Sequence, residues 1–164
     1  MLKKVSCFII LTIFVFFCFL TVQPCNAKNN RNEVIEQTEK SASRHGGQGF
    51  LCIIQGNYKG AVKHFSKVIE TEPNNSIAYH QRGIAYYHLG KFKKALVDFN
   101  KTIELNKNNL DAYGNRSLTK FQLGDYIGAL EDIDVILKVA PNNSKAIRQK
   151  QIILNKMKTS NNNK

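Results

Sequence analysis

Apolar and polar residues follow two different rhythms along this chain, and the change falls near residue 28. Before it, Val5 to Val22 (VSCFIILTIFVFFCFLTV) forms an apolar run without one charge. Beyond residue 42 the apolar positions return at helical spacing and break off at regular intervals. Tyr79, Gly83, Tyr86 and Tyr87 stand at i, i+4, i+7 and i+8, which predicts a helix over 77–89. Gly90 ends it, because glycine takes the left-handed conformation that closes a helix. A second helix is predicted over 92–105. Phe92, Ala95, Leu96, Phe99 and Ile103 lie on one face, with Lys93, Lys94 and Asp98 off it.

This two-helix pattern recurs every 34 residues. Gly56, Gly90 and Gly124 are in register, as are Tyr58, Phe92 and Tyr126; Ala61, Ala95 and Ala129; and Phe65, Phe99 and Ile133. The pairs Asn74-Asn75, Asn108-Asn109 and Asn142-Asn143 keep the same interval, and Gly49, Gly83 and Ser117 form a column of small residues. The columns define three units, 42–75, 76–109 and 110–143. Pro73 and Pro141 close the first and third, since proline cannot continue a preceding helix. Gly83 and Ala95 are expected at the closest approach of two antiparallel helices. The first unit carries Gly46, Gly47 and Gly49 in its leading helix, and each lowers helix propensity by about 1 kcal/mol. That helix is therefore expected to be short or frayed.

These columns resemble those of the tetratricopeptide repeat (TPR) family. The family's aromatic, Gly, Tyr, Ala and Phe positions are met at Tyr79, Gly83, Tyr86, Ala95 and Phe99. Tyr113, Ala129 and Pro141 match in the third unit, and Gly49, Ala61, Phe65 and Pro73 in the first. Arg82 and Arg116 depart from a usual Leu, Lys107 from a Pro, and Lys120 from an aromatic. The resemblance implies an all-α, right-handed α-solenoid of three helix-turn-helix repeats whose first helices line a concave, peptide-binding surface. The inward positions are then His80, Gln81, Ile84, Tyr87 and His88; Asn115, Leu118, Phe121 and Gln122; and Lys145, Arg148 and Gln149. Ile84, Tyr87, Leu118 and Phe121 stand outside the repeat's own packing columns, which points to a binding face. Some family members grip a C-terminal carboxylate with Lys and Asn, then Asn, then Lys and Arg on successive inner helices. Asn115 and Lys145 match, whereas His80, Ile84 and Gln149 do not, so a chaperone tail is not the expected ligand.

Residues 144–158 read as a capping helix with Ser144 as N-cap and Ile147, Leu154 and Met157 on one face. Residues 28–41 read as a polar linker in which Glu33–Lys40 can extend a helix, and 159–164 as a disordered tail. The opening segment, Lys3-Lys4, the run 5–22 and Cys25-Asn26-Ala27, has the layout of an export signal. Cleavage after Ala27 is one outcome. The other is an uncleaved anchor, since residues 5–22 would rise about 27 Å against a hydrocarbon core of ~30 Å. Either way residues 28–164 face outward, in the periplasm or beyond the cell.

Composition narrows the chemistry. Of four cysteines only Cys52 lies beyond residue 25, so no intrachain bridge is available to the exported part. His80 and His88 share a helix face about 12 Å apart, too far for one zinc ion with ligands at ~2 Å. His45 and His64 lack acidic or Cys partners at ligand spacing. No metal, cofactor or small-molecule substrate is expected, and no GxSxG, HExxH or phosphate-binding glycine loop marks an enzyme. The expected function is non-catalytic binding of a protein or peptide, as an adaptor or assembly factor. The net charge of +12 supplies an alternative. No acidic residue follows Asp134, and the basic stretches 145–164 and 91–94 suit an anionic membrane or envelope polymer. Nucleic acid is not an expected partner of an exported chain, and the sequence assigns no oligomeric state.

Overall fold

A computed structural model describes residues 31 and 33–162. The export signal or anchor expected over 1–27 lies outside them. Among the described residues no helix is long and apolar enough to cross a membrane. The chain divides into two compact units at Ser41/Ala42. In the first, residues 33–41 are helical and almost entirely exposed. The second unit is a series of paired helices: α1 (42–54), α2 (Tyr58–Thr71), α3 (Ser76–His88), α4 (Phe92–Leu105), α5 (Leu110–Gln122), α6 (Tyr126–Val139) and α7 (Ser144–Asn162). The described residues contain no strand.

Local chemistry sets the helix ends. Gly56, Gly90 and Gly124 take φ of 72°, 70° and 82°, the left-handed turn that reverses the chain between the helices of a pair. Each unit then restarts on an asparagine. The side chains of Asn75 and Asn109 accept from the backbone N–H of Ala78 and Ala112 at 2.9 and 3.0 Å. Asn143 does the same for Ala146 at 3.0 Å, so Asn143 rather than Ser144 is the cap of α7. The repeated asparagines thus start helices as well as ending units. No glycine or proline follows Lys158, and α7 runs on to Asn162 instead of giving way to a disordered tail at 159.

The core is built on the repeating Gly–aromatic contact. A Cβ on Gly83 would stand 2.8 Å from the Phe99 ring, and one on Gly49 would stand 2.7 Å from the Phe65 ring. The glycine therefore receives the aromatic of the second helix, not the alanine opposite. Ala61, Ala95 and Ala129 are each fully buried beside it. The Gly49–Phe65 contact also explains why α1 is a complete helix through three glycines. Burial against Phe65 outweighs a propensity deficit of about 1 kcal/mol per glycine, which the isolated sequence cannot show. In the third unit Ser117 replaces the glycine. Its hydroxyl donates to the Ala129 carbonyl at 2.8 Å, which satisfies a buried polar group.

Asp98 was expected on a wet face, but Asp98 and Asp132 are each only 2% exposed. Both pair with the arginines that depart from the family's leucine, and Asp132 also with Lys120 at 3.1 Å. Arg82 Nε and Nη2 donate to Asp98 Oδ2 and Oδ1, both at 2.8 Å, and Nη1 donates to Ser66 Oγ at 3.1 Å. Arg116 repeats the arrangement one unit on, donating from Nε to Asp132 at 2.9 Å and from Nη1 to Asn100 at 2.9 Å. Lys150 stands a further 34 residues along and donates to Asp134 at 2.6 Å. A basic column at 82, 116 and 150 thus reaches back to 66, 100 and 134 in the preceding unit.

Candidate functional site

Four of the residues expected in the groove meet in one place. Asn115 and Leu118 on α5, with Lys145 and Gln149 on α7, line a concavity of about 300 Å³. Ile136 of α6 and Asp111 and Gly114 of α5 are also in the wall. The two amides are held by neighbours. Asn115 Nδ2 donates to His80 Nε2 at 3.0 Å, and Gln149 Nε2 donates to the buried Ser117 hydroxyl at 2.9 Å. Because the amide nitrogen can only donate, His80 accepts as a neutral imidazole. Burial pushes its pKa below the ordinary value, against a smaller upward pull from Asp111. Lys145 is exposed at the rim, and Leu118 presents an apolar side chain that is 38% exposed.

The rest of the expected set is distributed differently. Gln81 and Ile84 are half-buried on α3, and Gln122 and Arg148 are exposed on α5 and α7. Tyr87 packs edge-on against Phe92 at 5.4 Å, and Phe121 packs against Tyr126 at the same distance. Phe121 also joins the apolar cluster of Ala129, Ile133 and Ile136. Both aromatics therefore belong to a packing column of the repeat, contrary to the reading that set them apart from it. His88 stacks on Tyr58 at 4.4 Å with rings 7° from parallel, which ties α3 to α2. The sequence signal for this was available: residues 87 and 121 stand five before the aromatic column at 92 and 126.

Asn115 and Gln149 each offer an amide, Lys145 an ammonium and Leu118 an apolar surface. An amide matches the alternating N–H and C=O groups of an extended peptide. The basic stretch at the C-terminus is less free than its sequence suggests, since Lys150 is paired with Asp134. Sequence reading also missed a second cluster. His45 Nδ1 and His64 Nδ1 stand 3.1 Å apart although they are 19 residues apart in the chain. Antiparallel pairing of α1 and α2 brings them together.

Comparisons with known proteins agree with this architecture. The model of the tetratricopeptide repeat matches residues 76–109, and a TPR repeat model matches 49–90. No curated protein is significantly similar to the chain in sequence. Among solved structures, the first TPR domain of Spaghetti (RPAP3) bound to the HSP90 peptide SRMEEVD is 28% identical with a TM-score of 0.69, over 72% of this chain and 94% of that one. The first TPR domain of human RPAP3 is also 28% identical with a TM-score of 0.69, over 74% and 95%. The TPR2B domain of yeast Sti1, solved as a pHsp70 complex, is 25% identical with a TM-score of 0.63, over 70% and 94%. Residues 49–109 are thus tetratricopeptide repeats, and the unit from Ala42 onward has the all-α fold of TPR domains.

Proposed function

We propose that this protein is a non-catalytic interaction module that binds an extended peptide, or a short segment of a partner protein, between α5 and α7. The observation that carries the reading is the convergence of Asn115, Leu118, Lys145 and Gln149 on one concavity. Peptide-bound TPR domains of similar structure support it. The ligand differs from SRMEEVD. Of the five positions used to grip a terminal carboxylate, His80, Ile84 and Gln149 lack the required side chains, and His80 is already engaged by Asn115.

Selection of a displayed peptide library on the full-length chain tests this. Convergence on one motif is expected, with binding lost in Leu118→Asp and Lys145→Glu while the melting temperature is unchanged. Both side chains are exposed, so these variants are cleaner than changes at Tyr87 or Phe121. No convergence, or a motif bound equally by the variants, would remove the reading. Salt-labile capture of anionic vesicles, indifferent to both changes, would favour the basic surface instead.

We further propose that the module acts outside the cytosol, on the strength of the basic start, apolar run and small residues of 1–27. Mass spectrometry of the protein from its native cells checks this. A mature N-terminus at Lys28 is the expected result of cleavage, and an intact chain in the membrane fraction that of anchoring. An intact soluble chain would sink the proposal.

A further inference from the structure

We propose that His45 and His64 form a binding site for a divalent transition-metal ion, which would clip α1 to α2. The first argument is distance. Two nitrogens each about 2.0–2.1 Å from one ion, at angles between octahedral and tetrahedral, lie about 2.9–3.4 Å apart. The two Nδ1 atoms are 3.1 Å apart, and the rings are tilted by 37° with centroids 5.4 Å apart. Imidazole is a preferred ligand of zinc, copper and nickel.

The second argument comes from the repeat itself. One unit on, the same three register positions hold Tyr79, Arg82 and Asp98; two units on, Tyr113, Arg116 and Asp132. In both, the arginine grips the aspartate and lies over the tyrosine ring, 5.6 and 5.3 Å from its centroid. The first unit has His45, Gln48 and His64 in their place. All three members of the ion-pair set are exchanged together, so ordinary repeat packing does not account for the histidines. The exchange removes a fixed cation from the seam and leaves two imidazoles there.

Both histidines are only partly buried, so an ion can enter. Among the described residues no group of three His, Cys, Asp or Glu side chains comes together. The site therefore holds its ion by two imidazoles, with the open positions taken by water or an outside ligand. It is independent of the concavity between α5 and α7.

Calorimetric titration of the full-length chain with Zn²⁺ alone, at pH 7.5 in reducing buffer, tests the proposal. A binding step at one ion per chain is expected. It persists in His80→Asn, His88→Asn and Cys52→Ser, and weakens by more than about 100-fold in His45→Asn and in His64→Asn, beyond the ~10–100-fold that loss of a supporting outer-shell group costs. The combined change His45→Tyr, Gln48→Arg, His64→Asp rebuilds the ion-pair set of the other units. It should fold, lose the binding step, and no longer gain thermal stability from Zn²⁺ as the wild type does. An unchanged titration in His45→Asn, an equal loss in His88→Asn, or a binding step retained by the triple variant would each overturn the site.

Discussion

Glycine means different things at neighbouring positions of α1. Gly46 and Gly47 face open space, with nothing within 4 Å of an added Cβ. Alanine there should stabilise the protein by up to about 1 kcal/mol each, through propensity and a less free unfolded chain. At Gly83 the same methyl meets the Phe99 ring at 2.8 Å, and alanine should instead lower stability by about 1–3 kcal/mol through overpacking. Ala95→Leu and Ala129→Leu belong with Gly83, since both alanines are fully buried. Urea midpoints of the five single variants decide the matter; a stabilised Gly83→Ala would contradict the packing described. The sequence showed that these residues were small and periodic. It did not show that phenylalanine fills the glycine notch, because periodicity reports which face a residue is on and not which side chain lies opposite.

Between elements, the Arg–Asp forks join α3 and α5 each to the second helix of its own unit and to that of the unit before. Arg82→Met leaves Asp98 buried without its counter-ion and should cost about 3–5 kcal/mol. Replacing both partners, Arg82→Met with Asp98→Leu, should cost much less, because no charge is then stranded. Equilibrium unfolding of the two singles and the double closes this cycle, and a double variant as damaged as Arg82→Met would show that the fork is not a unit. The forks were half legible in the sequence. Arg82 and Arg116 stand out as departures from the family's leucine, and Asp98 and Asp132 repeat at the same interval. An apolar/polar pattern nevertheless assigns an aspartate to the wet face. It fails here because a guanidinium 16 residues upstream makes burial tolerable.

At the scale of the whole molecule, stability should depend on pH near neutrality. The pKa of His80 is lowered by burial, and that of His64 by burial, His45 and Lys63. Below the unfolded imidazole value of about 6.5 the unfolded chain binds more protons than the folded one, so stability falls as acid is added and levels off below the folded pKa. The melting temperature should drop between pH 7.5 and 5.5. His80→Gln, which keeps an acceptor for Asn115, should flatten that slope; an equal slope in the variant would remove His80 from the effect. Helix order and turns could be read from the sequence because they rest on local spacing. The His80–Asn115 bond and the His45–His64 contact could not. The first depends on how one helix pair is rotated against the next, the second on how α1 lies against α2.

The pairing of sequence neighbours in the second unit has a kinetic side. α2 packs with α3, α3 with α4, α4 with α5, α5 with α6 and α6 with α7, while α3 also touches α5. The His80–Asn115 bond spans 35 residues, and the forks span 16. Every such closure draws in a short loop, which is entropically cheap, and low contact order goes with rapid folding. Folding can start at any helix pair and spread along the chain. A chain emerging from the ribosome N-terminus first therefore settles pair by pair, each new pair finding its neighbour already in place.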